Sequence, residues 1–294
     1  MTKRVIEVVE RGARLSMDNH LLVLMLTDGG EHRIPVTDIE CLILGTSAVS
    51  VTGALLAELA EAGVMVIISN SKCLPVAMQL PLSAHYLQNE RFRAQAEAPL
   101  PLYKRLWQSV VAAKIRSQGN LLMELHGVGD EFFHLADKVK SGDPENLEGR
   151  AAVLYWKQLF NSPFLRDRDM PDNNILLNYG YAILRAMTAR ALCGAGLHPT
   201  IGIHHHNRYN AYCLADDLME PYRYIVDRAV ARINPDNALF DGLSRNMRGE
   251  IIAELLNAEI IWHENRRDLG NLLTIHAGQL ANSFAQNKNL LDFC

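Results

Sequence analysis

Apolar and polar positions follow two different rhythms along this chain. Up to about residue 80 the runs RVIEVVE, LLVLMLT, HRIPVTDIECLILG, VMVIIS and LPVAMQL are short and β-branched or apolar. Gly12, Asp18-Asn19, Gly29-Gly30 and Asn70 separate them, which is the texture of strands joined by tight turns. One helix is expected among them, over 50–62, with Leu55, Leu56 and Leu59 apolar, Ser50 or Thr52 to cap it and Gly63 to end it. Nothing in 1–80 has catalytic spacing. The segment therefore reads as a structural, dimerising β-rich domain whose apolar strands need a second sheet or a partner to cover them.

Past Pro81 the period becomes helical. The stretch 81–99 reads as a linker with some helix of its own, Pro99 and Pro101 mark a break, and a long helix is expected over about 102–125. Gly127 and Gly129 end it, and 130–140 makes a short helix. Asp143 followed by Pro144 is a good cap with proline at the first helical position, so a helix is expected to start there, with Glu148 one turn in. An apolar helix covers 173–195, and three more helical patterns follow at 227–233, 242–259 and 266–286. The tail NKNLLDFC is expected to be loose or to dock on a partner. The fold class is thus α+β, a β-sandwich-like N-terminal domain followed by a larger all-α catalytic domain over 100–294.

Composition narrows the setting. With 294 residues, 49% of them hydrophobic, the chain can bury a large core. No apolar run is long enough to span a membrane, and charges interrupt the start MTKRVIEVVERG, so a cytoplasmic protein is expected. The cysteines, Cys41, Cys73, Cys193, Cys213 and Cys294, form no CxxC pair, which suits reduced, buried thiols and offers no zinc framework. A net charge of −4 means that any polyanion must meet a local basic patch.

One such patch runs from Arg91 to Arg116. Arg91, Arg93, Lys104, Arg105, Lys114 and Arg116 lie there with Glu97 as the only acid, interleaved with glutamines, Tyr103 and Trp107. These are candidate contacts to a nucleic-acid backbone, with Arg245, Arg248, Arg266 and Arg267 further on; a solvated helix face is the competing reading.

Candidate chemistry concentrates in HPTIGIHHHNRYNAYCLADDLMEPYRYIVDR, residues 198–228. His198, His204, His205 and His206 are followed by Asp216, Asp217 and Glu220, and imidazole with carboxylate oxygen suits Mg²⁺, Mn²⁺ or Zn²⁺ in an open site. Asp217 and Glu220, three apart, share a helix face while Asp216 points elsewhere. Pro221 makes Glu220 an irregular point, either a kink or a helix start. Gly196, Pro199, Gly202 and Asn207 mark a loop that can fold the histidines back over the acids. Spacing alone leaves open which histidine takes part. Glu148, beside Gly149 on a face of small and apolar residues, is a further candidate that a helix-dipole role does not explain.

NLEGRAAVLYW at 146–156 and LHPTIGIHHHNRYNAYCLADDLMEPYR at 197–223, with the β-rich start and helical remainder, resemble the CRISPR-associated integrase, the adaptation nuclease of prokaryotic immunity, in its short type II form. The resemblance implies that Glu148, His205 and Glu220 are catalytic metal ligands for Mg²⁺ or Mn²⁺, with Asp217 in support. It implies a homodimer built through the β-rich domain, and assembly with a small adaptation partner protein. The implied substrates are double-stranded DNA with single-stranded 3′ ends and CRISPR repeat DNA, and contact with the RNA-guided effector nuclease is implied as well. The implied reaction is transesterification, in which a 3′-hydroxyl attacks a phosphodiester at a repeat boundary, or hydrolysis when water replaces the hydroxyl. A zinc-type hydrolase of a small substrate competes, but it lacks a HExxH run and leaves the basic stretch without purpose. A non-enzymatic DNA-binding scaffold has no need of Glu148, His205 and Glu220.

Overall fold

The computed structural model describes residues 4–71, 74–81, 84–167, 169–239 and 242–293, and divides the chain into two compact units, Met1–Ala84 and His85–Cys294. Cys73 and Cys294 lie outside the described residues. Cys41 and Cys213 are buried thiols and Cys193 is half-buried. No helix among the described residues is long and apolar enough to cross a membrane.

The first unit contains β1 (Arg4–Val8), β2 (Arg14–Asp18), β3 (Leu21–Met25), β4 (Glu31–Pro35), β5 (Ile39–Leu44), β6 (Ser50–Val51), α1 (Gly53–Glu61), β7 (Met65–Ser69) and β8 (Pro75–Gln79). They form two four-stranded sheets, ordered β1-β5-β7-β8 and β4-β3-β2-β6. In the first, β1, β5 and β7 run parallel and β8 antiparallel; the second is an antiparallel meander extended by a short parallel pairing of β2 with β6. Leu42, Leu44 and Val66 of one sheet, Leu15, Leu22 and Leu24 of the other, and Leu55 and Leu59 of α1 make one core. Truncating a leucine such as Leu59, wholly buried, to alanine is expected to cost about 2–5 kcal/mol. The Thr52 hydroxyl accepts the Leu55 amide at 3.4 Å, capping α1, and Gly63, at φ +67°, turns the chain out of it.

The second unit is helical: α2 (Gln88–Ala96), α3 (Leu100–His126), α4 (Asp130–Asp137), α5 (Leu147–Leu159), α6 (Asn173–Gly194), α7 (Cys213–Met219), a 3₁₀ turn over Glu220–Tyr222, α8 (Arg223–Ile233) and α9 (Arg245–Asn257). A hairpin of β9 (Glu259–Trp262) and β10 (Asn265–Asp268) then leads into α10 (Leu269–Gln286). This hairpin corrects the all-α expectation, which ran helices over 242–259 and 266–286. Ile260, Ile261 and Trp262 favour strand, and His263 and Glu264, at φ 45° and 63°, make a two-residue turn with the twist a hairpin needs.

Three further boundaries moved. The stretch expected as a linker, 81–99, contains α2, which is bonded into the second unit: Gln95 Nε2 donates to the carbonyls of His198 and Ile201 at 2.9 and 2.8 Å. The helix bearing Glu148 starts at Leu147 instead of at Pro144, with Asn146 as its cap. Asp143 still contributes, because its carboxylate accepts the amides of Leu147 and Glu148, each at 2.9 Å. The tail docks on its own chain, where Trp262 Nε1 donates to the Asp292 carbonyl at 3.1 Å and Asn289 Nδ2 to Ser109 Oγ at 2.8 Å.

Candidate metal centre

The histidine loop is built around Asp217. This carboxylate is fully buried on α7 and accepts the backbone amides of Ile203, His204 and His205 at 2.5, 3.0 and 3.3 Å. Three consecutive N–H groups aimed at one anion fold the loop back over the helix. Gly202 permits the approach. A Cβ there would run into the His205 carbonyl oxygen and lie 2.9 Å from both Asp217 Oδ2 and Cys213 Cβ.

The same carboxylate distinguishes the three histidines. Asp217 Oδ1 lies 2.6 Å from His205 Nδ1, and Nε2 of that ring has no hydrogen-bond partner among the described residues. The bond to Asp217 raises the His205 pKa above its ordinary value, against the lowering effect of burial. His204 instead stacks flat on Trp107 of α3, ring centroids 4.2 Å apart, and burial lowers its pKa. His206 is exposed. Asp216 belongs elsewhere, held by Arg185 through two contacts of 2.6 and 3.0 Å.

Glu148 and Glu220 meet across one ammonium. Glu220, 4% exposed, sits where Pro221 replaces α7 by a 3₁₀ turn, and its Oε1 lies 2.9 Å from Arg223. Lys114 of α3 contacts Glu148 Oε1 and lies 2.7 Å from Glu220 Oε2. Burial works against the charged form of Lys114, but Glu220 and Glu148 together hold its pKa above the usual lysine value. Burial likewise pushes Glu220 up, and Arg223 and Lys114 more than offset it, so its pKa lies below the ordinary carboxylate value. Lys114, Glu148, Glu220, Arg223, Tyr181 and Asp227 line a cavity of about 170 Å³ that His205 does not line. Asp227 accepts the hydroxyls of Tyr155, at 2.7 Å, and Tyr181, and burial pushes its pKa up to about 6.

The donor set suits a divalent ion. Glu220 Oε2 is buried with the Lys114 ammonium 2.7 Å away, and His205 Nε2 has no hydrogen-bond partner among the described residues. Two carboxylates and an imidazole are the ligand types Mg²⁺ or Mn²⁺ takes. The described residues nevertheless contain no three His, Cys, Asp or Glu groups already closed at metal-binding spacing.

Lys114 is therefore no candidate for an exposed DNA contact, and its neighbours divide. Lys104, Arg105 and Arg245 are exposed. Arg91 donates to the Ala195 carbonyl at 2.6 Å and Arg116 pairs with Asp137 at 2.7 Å, so both are partly spent on the fold. Arg248, 5% exposed, donates to the Leu243 carbonyl at 2.8 Å and is structural. A signal for Lys114 was present in the sequence. Trp107, Val110, Val111, Lys114, Ile115, Gln118 and Leu121 recur at helical spacing, which places this lysine in the buried stripe of α3.

The family model for CRISPR associated protein Cas1 matches residues 6–241. The chain belongs to the Cas1 family. A Cas1 relative from Neisseria meningitidis, named CRISPR-associated endonuclease Cas1, is 32% identical and aligns over 84% of this chain and 82% of its own length. One from Pyrobaculum aerophilum is 30% identical over 77% of this chain and 82% of its own. Among solved structures, a Cas1 protein from Thermotoga maritima superposes with TM-score 0.79 at 15% identity, covering 98% of this chain and 99% of that one. A casposase bound to an integration product superposes with TM-score 0.77 at 21% identity, over 100% of this chain and 93% of that one. At these identities the structural likeness establishes that the Cas1 fold is shared.

Proposed function

We propose that this protein is a metal-dependent DNA integrase and endonuclease of CRISPR spacer acquisition. It joins the 3′-hydroxyl ends of short DNA fragments to a phosphodiester at the boundary of a CRISPR repeat, and it cleaves DNA when water takes the hydroxyl's place. The observation that carries this reading is the convergence of Glu148, from α5, and Glu220, from the 3₁₀ turn after α7, on one buried cation position in a Cas1-family chain.

In this reading Glu148, Glu220 and His205, through Nε2, hold Mg²⁺ or Mn²⁺. When bound, such an ion supplies Lewis-acid polarisation of the phosphodiester and charge stabilisation of the leaving 3′-oxygen. Asp217 fixes the His205 ring through Nδ1, so that the other nitrogen is presented to the ion. Arg223 holds Glu220 by its second oxygen. Lys104, Arg105 and Arg245 meet DNA phosphates.

The substrates are double-stranded DNA with single-stranded 3′ ends and CRISPR repeat DNA. The solved casposase is bound to an integration product, and another structure sharing the fold is a Cas6-RT-Cas1–Cas2 complex, of which this chain covers 36% of the matched chain. The first supports DNA and the second a partner protein as components of the working assembly. In this reading the partner is small and this chain enters as a homodimer. Contact with the RNA-guided effector nuclease belongs to the same reading.

The test incubates the protein, with and without its adaptation partner, with labelled short duplex DNA and a supercoiled plasmid carrying the repeat. Joined products that require Mn²⁺ or Mg²⁺ are expected. Metal-independent products, or none with the partner present, would refute the assignment.

A further inference from the structure

Lys114 does something that a supporting ion pair does not require. It projects from α3 between two acids on other elements, with its side chain 10% exposed against 29% for Glu148 and 4% for Glu220. Its ammonium lies 2.7 Å from Glu220 Oε2. Lys114 donates a hydrogen bond to Glu148 Oε1 and pairs with Glu220 as well, so both acids hold it. Two carboxylates converging at a buried point also need a positive group whenever the protein is folded, because an uncompensated buried charge is strongly destabilising. An aqueous ion is not always at hand; a tethered one is.

We propose that Lys114 is a resident counter-ion which occupies the metal's place between Glu148 and Glu220 in the metal-free protein, so that metal binding is an exchange of cations. This rests on the metal site put forward under Proposed function. The ammonium leaves the carboxylates and turns into the cavity it already lines, beside Tyr181, Arg223 and Asp227. The incoming ion must displace an existing ion pair, so it binds more weakly than the same three ligands would bind it if they were free. The exchange also gives the cavity two positive charges without removing the lysine. It thereby becomes a place for a phosphate only after the metal has arrived, an order of binding that protects DNA from an unloaded centre.

The test compares the full-length protein with Lys114→Met, a residue of similar length without charge. Without metal, Lys114→Met is expected to melt at a lower temperature than the unaltered protein. In calorimetric titration it is expected to bind Mn²⁺ about tenfold or more tightly, with a larger Mn²⁺-induced rise in melting temperature. In the unaltered protein, reductive methylation followed by peptide mass spectrometry should find Lys114 protected without metal and more reactive with saturating Mn²⁺, while exposed Lys157 reacts equally in both. Unchanged or weaker Mn²⁺ binding by Lys114→Met overturns the exchange. So does a Lys114 that stays equally protected once Mn²⁺ is bound, and this labelling result decides the matter if the variant does not fold. Mn²⁺ binding to neither protein removes the metal site and the exchange together; binding with Lys114 still protected removes the exchange alone.

Discussion

If Glu148, His205 and Glu220 share one ion, each alanine substitution should abolish strand joining and cleavage, and one should cost about as much as all three together, because the groups act as a unit. Folding and most DNA affinity should survive. Asp217→Ala is expected to approach this loss, since Asp217 holds three loop amides as well as the His205 ring. His206→Ala, at an exposed ring, should stay near normal, with His204→Ala mildly impaired through its stacking on Trp107. Metal-dependent joining of a labelled DNA separates these cases, and a larger defect in His204→Ala than in His205→Ala would show the wrong histidine. Asp227 supplies a pH test. Its folded pKa, raised from 3.8 to about 6, exceeds the unfolded value, so its contribution to stability is full at low pH and is lost as pH rises through that window. The melting temperature of the unaltered protein relative to Asp227→Asn should therefore fall between those pH values and level off above them. A flat difference would mean that burial does not hold the proton. At this scale the sequence shows residue types but not partners. Three adjacent histidines differ only in where a carboxylate twelve residues on comes to lie, and counting Lys114 among basic residues hid what its helical position implied.

Elements carry the loop geometry. α7 and the segment 202–205 close on each other because Gly202 lets the chain pass against Cys213 and Asp217. Gly202→Ala is expected to displace the loop and lower Mn²⁺ affinity and strand joining by about 10–100-fold, the usual cost of losing the support behind a ligand, with the helical circular dichroism unchanged. Unaltered metal affinity would mean that the loop tolerates the methyl group. Most elements were legible because their period and caps agree: Thr52 and Gly63 bracket α1, and Pro221 breaks the run at Glu220. The hairpin at 259–268 was not: the helical patterns read over 242–259 and 266–286 left no strands between them, and its left-handed turn residues, His263 and Glu264, carry none of the glycine or asparagine that marks such a turn. The start of α5 was misplaced for a related reason: Asp143 caps from outside the helix, reaching over Pro144 to Leu147 and Glu148.

For the whole molecule, DNA binding and dimerisation are the properties at stake. Replacing exposed Lys104 and Arg105 by alanine should weaken binding to any DNA sequence and lower the salt slope by about two units, one for each phosphate contact removed; an unchanged slope would make them solvated surface. Dimerisation turns on how the sheet edges of the first unit are protected. The edge strand β4 carries Glu31, His32 and Arg33, all exposed, with Arg33 paired to Asp18 and Glu31, and charge of this kind discourages further strand pairing. The edge strand β1 carries Arg4 and Glu7. The remaining long edge, β8, reads PVAMQ and has no charge; Val76 on it is 62% exposed, with Ile68 of neighbouring β7 at 42%. An uncharged edge beside exposed aliphatic side chains is the place where a second copy can add to the sheet or cover it. If the protein is the homodimer proposed above, Val76→Lys in the full-length protein should shift it from dimer to monomer in light scattering, without lowering its melting temperature by more than the dimer contributed. His32→Lys on the opposite sheet should leave the dimer intact. A Val76→Lys protein that remains dimeric would move the interface away from this edge.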